Sequence, residues 1–550
     1  MTEFRDFGRR VCTPSRLDRL VSGAILAFGA LMVGLTVRAD DFFTGDATYF
    51  ELGRSLSVDG TYGFDAQPIP LPPGFPALLA FACIAVSCRY AVLIRIVAVG
   101  ATLGLLMSYK LLRREGGRAF AGAVCLLLAS SPSLFKFSTR LVFSDMPYFF
   151  TSMATLVVAG TFATARGRRA RVGLGLLCAG LLVVSILLRS AGVALVIGLV
   201  GWLATSWWAG GPEAPRRLKM FLPLVLAGVM AQVGWTHWGP HPPLEWPGVG
   251  GYPQPYLAQL TVKSGNQPEM GPASLSDIPS RVARNLGEHL DFLMALLTHL
   301  RVGRLGPLVP GLAVLMLWGL WISLRLGGGS WAAWYFLAHE AMYLVWPWNF
   351  EDRFILPVAP LACLYGWRGA QAAMGVVSRT PWGARMARRL SSSITVTSVW
   401  GRPLTFGMLS GALVLVVLVG LGVAREVKAG RENVRFDVAQ EATYPDVEAG
   451  RWVRAHTPAT TVVMARQLDV VFHYARRRVV WFPPVSNPQQ LMDGIRHHGV
   501  EYVVVTDRVN SYWLPPEGKC FDELTRAYPG RFRLVHEEPR LKIFRVSDAS

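Results

Sequence analysis

Charge is scarce in this sequence, and negative charge is scarcest. Only 17% of its 550 residues are charged, against roughly 25% in a typical soluble domain. Asp and Glu number 36 against 55 Lys and Arg. With 52% hydrophobic residues and apolar runs near 20 residues recurring along the chain, this composition is that of a polytopic membrane protein. The net charge of +19 does not indicate a nucleic-acid partner, because the basic residues fall in short clusters between apolar runs and no nucleic-acid-binding module is recognisable. There is no CxxC and no Cys/His zinc spacing. Cys83, Cys88, Cys125, Cys178 and Cys363 lie in apolar segments, where a free thiol behaves as a small hydrophobe, so neither a disulfide framework nor a metal site is expected. GxGxxG and P-loop spacings are missing too, which argues against nucleotide binding.

The apolar runs give eleven expected spans: 20–37, 90–109, 119–136, 146–164, 172–188, 190–208, 220–236, 305–324, 330–347, 353–369 and 404–423. Threading them from a cytoplasmic N-terminus (1–19) puts the basic loops "KLLRREGGR", "ARGRRAR", "EAPRRLK" and "RTPWGARMARR" on the cytoplasmic side. Counting "LPPGFPALLAFACIAVS" (71–87) as a further span reverses every later loop. It therefore reads as a re-entrant or interfacial segment of a first outer loop, 38–89. The first run is longer than a signal-peptide core and reads as a retained anchor. A membrane domain over 20–425 with a second outer loop at 237–300 follows. The tail, 430–550, alternates helix-like and strand-like pieces and reads as a soluble α/β domain on the outer side.

On that topology, ionisable side chains recur where spans meet the outer face. Asp40, Asp41 and Asp46 follow the first span, among Phe42, Phe43, Tyr49 and Phe50. Arg140 and Asp145 flank the start of another in "STRLVFSDMPYFF", Arg189 joins two spans with almost no loop, and Glu351, Asp352 and Arg353 precede the tenth. Ionisable groups at a membrane edge are functional candidates. A carboxylate can take the proton of an acceptor hydroxyl, and an arginine can neutralise a departing phosphate. Each also has a plain structural reading. Asp46 and Asp145 stand where N-caps stand, and Arg353 can snorkel to the interface or pair with its acidic neighbours. His237, His241 and Glu245 have a ligand-like composition, but the intervening prolines break any helical ligand spacing.

Four stretches in order, "GDATYFELGRSLSVDGTYGF…PLPPGFPALLA", "SDMPYFF", "LLRSAG" and "EDRFILPVAP", resemble the motifs of the membrane-embedded GT-C glycosyltransferases, a group that includes protein O-mannosyltransferases and the lipid A aminoarabinose transferase. The resemblance covers roughly 20–370. It implies a GT-C fold and a polyprenyl-phosphate-linked sugar as donor, with a glycan, lipid or protein as acceptor; a need for a divalent metal is left open by the sequence. It implies Asp46 or Asp41 as the base, and Asp145, Arg353, Arg189, Asp40, Tyr49 and Arg140 around the substrates. Two positions depart from the family's pattern. Gly45 stands where its first acid usually stands, four residues before Tyr49, and Leu71 stands where aminoarabinose transferases carry a lysine before the double proline.

The expectation is thus an α-helical polytopic membrane protein of about eleven spans with a C-terminal soluble α/β domain. Its Arg-, Ala-, Leu- and Gly-rich composition points to a bacterial inner membrane. The expected activity is inverting sugar transfer at the outer face. The alternatives are a transporter or flippase for a lipid-linked sugar, for which no two matching halves are visible, a non-catalytic partner in cell-envelope assembly, and transfer of a phosphorylated group.

Overall fold

The computed structural model describes residues 15–39, 46–64, 67–210, 212–239, 245–246, 249–251, 256–299, 309–325, 330–348, 351–381, 406–437, 439, 441, 443–508 and 513–547. Asp40 and Asp41 lie outside the described residues. The first helix, α1 (Arg16–Gly34), starts with a capping box in which Ser15 Oγ accepts from Asp18 N and the Asp18 carboxylate accepts from Ser15 N. The first loop holds α2 (Ala47–Val58), a β1–β2 ribbon (Gly63–Phe64, Gln67–Pro68) and α3 (Gly74–Ala85). Then come α4 (Tyr90–Gly116), α5 (Arg118–Ala129), α6 (Pro132–Thr139), α7 (Asp145–Thr164), α8 (Arg168–Leu188), α9 (Val193–Trp208) and α10 (Ala214–Trp238). A β3–β4 ribbon (Glu245–Trp246, Gly250–Gly251) and α11 (Tyr256–Leu260) lead to α12 (Asp277–Thr298), α13 (Val309–Arg325), α14 (Trp331–Leu344), α15 (Ala359–Val377) and α16 (Phe406–Val434).

A helix lies at each of the eleven expected spans. Seven are long and apolar enough to cross a membrane alone, eight if the pair α5–α6, bent by 58°, counts as one. The helices α13, α14 and α15 are shorter or less apolar, and α13 crosses α15 at backbone contact. A Cβ on Gly319 would lie 1.9 Å from the Tyr365 carbonyl oxygen, and one on Gly369 1.8 Å from that of Leu315. Only glycine permits that approach. The 71–87 segment forms α3, whose 12 residues span about 18 Å, well short of a bilayer core of about 30 Å. It leaves Phe81, Ile84 and Val86 exposed, as an interfacial helix does. One expectation is overturned here: Cys83 and Cys88 are not free thiols but form a disulfide. Five residues apart, one sits in the last turn of α3 and the other in the link to α4, so the chain reversal brings them together.

The C-terminal domain comprises α17 (Tyr444–His456), β5 (Val462–Ala465), α18 (Leu468–Ala475), β6 (Arg478–Trp481), α19 (Pro488–His498), β7 (Tyr502–Thr506), α20 (Glu517–Ala527), β8 (Phe532–Glu538) and β9 (Leu541–Val546). Its sheet runs β6-β5-β7-β9-β8, with β5 parallel to both neighbours and β7, β9 and β8 antiparallel. Of the helix-like and strand-like pieces read in the sequence, the strands, α17 and α19 are found, while α18 and α20 (Glu517–Ala527) are not anticipated. The run Val470–Val471–Phe472 has strand composition, yet Leu468, Val471 and Ala475 are buried at helical spacing.

This domain docks on the first loop. Glu51 of α2 is ion-paired with His473 and, at 2.7 Å, with Arg476, and Thr48 donates to Asp469 at 2.7 Å. Leu52 and Ile69 of the loop join the domain's apolar core. Burial would push the Glu51 carboxyl up, but His473 and Arg476 hold it down at about 2.

Candidate active site

The site begins at a break in the chain. Pro132 opens α6 after a 58° bend, a place where proline costs no helical hydrogen bond. The bend turns residues 140–144 back beneath the first loop. There Asp46 is completely buried. It occupies the N-cap position of α2, but its side chain does not cap. Its Oδ2 accepts instead from the Tyr90 hydroxyl at 2.5 Å and from Val142 N at 2.6 Å. The Tyr90 hydroxyl also lies 2.7 Å from the Arg140 carbonyl oxygen. Asp46 thus ties α2 to α4 and to the 140–144 segment.

Two residues beyond Phe143, Asp145 opens α7 with 1% exposure. Negative charge is favoured at a helix N-terminus. Its Oδ1 is 2.8 Å from Arg189 Nη1, and neither of its oxygens takes a hydrogen bond from a described residue. Arg189 reaches this place because α8 stops at Leu188 and the backbone becomes extended (φ −156°, ψ 136°) before a tight turn into α9. The same end of α8 lies against α3. A Cβ on Gly74 would be 2.7 Å from the Leu187 carbonyl carbon, so glycine lets the first loop close over Arg189.

Arg189 Nε donates to the Tyr343 hydroxyl at 3.3 Å and Nη1 to Ser144 Oγ at 3.4 Å, and Ser144 in turn donates to the Tyr49 hydroxyl at 3.3 Å. The Tyr49 ring packs edge-on to Phe75 and Phe143. Arg353 lies over Phe143 at 4.4 Å and Phe354 at 4.9 Å. Arg189 approaches the same Phe354 ring at 5.4 Å, and Tyr343 stacks on it at 4.9 Å. Glu351 pairs with Arg353 at 2.6 Å, but the Glu351 side chain is 52% exposed. Such a pair is weak and screened by solvent, so the guanidinium is available to an incoming anion. The end of α14 that carries Tyr343 is held by α12, where Asn285 donates to the carbonyls of Tyr343, Leu344 and Trp346.

Of the residues singled out in the sequence, the structure pairs Asp145 directly with Arg189, links Tyr49 to Arg189 through Ser144 and Arg353 to Arg189 through the Phe354 ring, with Asp46 one residue away from Phe143 through its bond to Val142 N. Arg140 goes elsewhere: its guanidinium pairs with Glu441 at 2.7 Å and sits over Phe436. Sequence reasoning missed Tyr90, Ser144, Tyr343 and Phe354. The signal for Tyr343 was submerged in the aromatic-rich stretch 331–348. It also missed a buried pair inside the bundle, His289 Nδ1 to Glu340 Oε2 at 2.6 Å. Among the described residues no group of three or more His, Cys, Asp or Glu is placed to hold a metal ion, and His241 lies outside those residues.

No family model matches the sequence, and no curated protein matches it. Its fold does match solved structures. ArnT from Cupriavidus metallidurans bound to undecaprenyl phosphate superimposes with a TM-score of 0.56 at 14% identity, covering 96% of this chain and 97% of that one. Its apo state gives 0.54 at 16% identity. The Archaeoglobus fulgidus oligosaccharyltransferase tethered to an acceptor peptide gives 0.53 at 14% identity, over 88% of this chain and 69% of that one. The chain therefore has the GT-C membrane fold, with many spans and a C-terminal α/β domain.

Proposed function

We propose that this protein transfers a sugar from a polyprenyl-phosphate donor to an acceptor at the outer face of a bacterial inner membrane, with inversion. The observation that carries the reading is the buried Asp145–Arg189 pair, with Arg353 beside it, beneath the first loop of a GT-C fold. ArnT, with which the chain shares that fold along nearly its whole length, binds undecaprenyl phosphate. In the reaction, a carboxylate takes the acceptor's O–H proton and the oxygen forms a bond to the anomeric carbon. The bond from that carbon to the phosphate oxygen breaks, and its electron pair leaves with the polyprenyl phosphate. Arg353 and Arg189 stabilise the charge developing on that phosphate. Tyr49 and Phe143 offer ring faces to the sugar.

The base belongs to the first loop in the family-based reading, as Asp46 or Asp41. One observation favours a second assignment. Asp46 already accepts two hydrogen bonds on one oxygen, whereas Asp145, whose Oδ1 is paired with Arg189, keeps an Oδ2 that accepts none from described residues. An unfilled buried acceptor is the better receptor for a substrate hydroxyl. On this assignment Asp46 is a positioning residue.

The test supplies membranes with a panel of radiolabelled polyprenyl-phosphate sugars and follows label leaving the donor. Wild type transfers label. Asp145→Asn lowers turnover by about 10²-fold or more with KM little changed, while Asp46→Asn and Tyr90→Phe lower it together and alike. If Asp46→Asn alone abolishes turnover and Tyr90→Phe does not, Asp46 is the base. If wild type consumes no donor, transport of a lipid-linked sugar takes the place of transfer.

A further inference from the structure

The end of the bundle opposite Asp145 holds a half-open cavity of about 990 Å³. Its walls come from the far ends of helices that start or finish at the site. On α4, Tyr90 is at the site and Arg114 is at the cavity. On α7, Asp145 is at the site and Gly160 is at the cavity. The two places are thus separated by most of a membrane span.

The cavity has a charge excess that nothing described cancels. Three arginines line it, Arg114, Arg217 and Arg368, against a single acid, Glu115. Glu115 is taken by Arg368 at 2.6 Å, and Arg368 also donates to Ser323. Arg114 is held by neutral partners, the Val157 carbonyl at 3.1 Å and Thr161 Oγ1 at 3.2 Å. Arg217 lies over the Trp202 ring at 5.7 Å, and among the described residues it has no carboxylate partner. Beside it, Trp202 and Phe221 meet edge to face at 5.1 Å and form an apolar wall. Two uncompensated guanidinium groups next to aromatic rings, at a bundle end facing a leaflet, match a phosphate carried on an apolar chain.

We infer that this cavity binds the phosphate headgroup of an anionic phospholipid from the leaflet at that end. Arg217 and Arg114 face the phosphate, and Trp202 and Phe221 face the first carbons of the chain. The inference rests on the cavity alone and is independent of the reaction proposed at the other end.

The full chain, purified in neutral detergent, is titrated with phosphatidylglycerol, phosphatidylcholine or inorganic phosphate while its thermal unfolding midpoint is followed. Phosphatidylglycerol raises the midpoint saturably, and the other two do not. Arg217→Gln weakens the apparent affinity for phosphatidylglycerol by about tenfold, and Arg217→Lys, which keeps the charge, retains the preference. Equal shifts with phosphatidylcholine, a shift reproduced by inorganic phosphate, or an unaltered affinity in Arg217→Gln would each overturn the inference. Because wild type alone separates the two lipids, the test does not depend on how well the variants fold.

Discussion

The two ends of the helical bundle both gather arginines, and they handle the charge in opposite ways. At the first-loop end, Arg189 is locked to the buried Asp145, and Arg353 lies over two phenylalanine rings and pairs with an exposed glutamate. At the other end, Arg114 and Arg217 line an open volume with neutral or aromatic partners. A paired, buried arginine is part of a preorganised structure. An arginine without a counter-charge beside an open volume is a receptor for an anion brought from elsewhere. The first kind suits chemistry that needs fixed geometry, and the second suits the headgroup recognition proposed above.

The largest effect that would break this contrast is expected at Arg189. Arg189→Gln leaves the Asp145 carboxylate buried without its counter-charge, a change that typically costs about 3–5 kcal/mol. Unfolding should move to markedly lower temperature and transfer should disappear. An Arg189→Gln protein as stable as wild type would mean that the site is no more preorganised than the cavity. Arg353→Gln sharpens the distinction within the site. Its pair with Glu351 is solvent-screened and worth about 1 kcal/mol or less, so stability should hold while turnover falls by about 10²-fold, as when a donor to a developing anion is removed. Steady-state kinetics and thermal unfolding on the same preparation read both.

A smaller effect tests how the C-terminal domain reinforces the site end. Glu51 titrates at about 2 in the fold against an ordinary 4.5. A carboxylate with a lowered value stabilises the docking fully above pH 4.5, and that contribution drains away as pH falls toward 2. Limited proteolysis between the bundle and the domain should therefore be slow at pH 7 and speed up only below about pH 4.5 in wild type. In Glu51→Gln it should be faster already at pH 7. Cleavage equally slow in the variant would show that Leu52 and Ile69 hold the domain without the clasp.

Much of the architecture was legible in the chain because membrane partition is a local, additive property. Twenty apolar residues announce a span whatever they pack against, and short runs rich in β-branched and aromatic residues announce β7 and β9 in the same way. The 71–87 segment was set apart by a different signal, the sidedness of the basic loops, since counting it as a span would reverse every later one. The clustering of Tyr49, Asp145, Arg189 and Arg353 was legible in part, since each stands where a span meets one face. Their partners were not. Arg140 stands at the same face as Arg189 in the sequence, yet it pairs with Glu441, three hundred and one residues away.

What the sequence determined by itself, then, is the membrane class, the spans, the α/β tail and the face on which acids and arginines collect, because each follows from the composition of a short window. The tertiary structure decided what each carboxylate faces, Asp46 accepting from Tyr90 and Val142 and Asp145 paired with Arg189. It also decided that a basic cavity forms at the far end. Those outcomes depend on which helices pack side by side, and such pairings join residues that no local window contains.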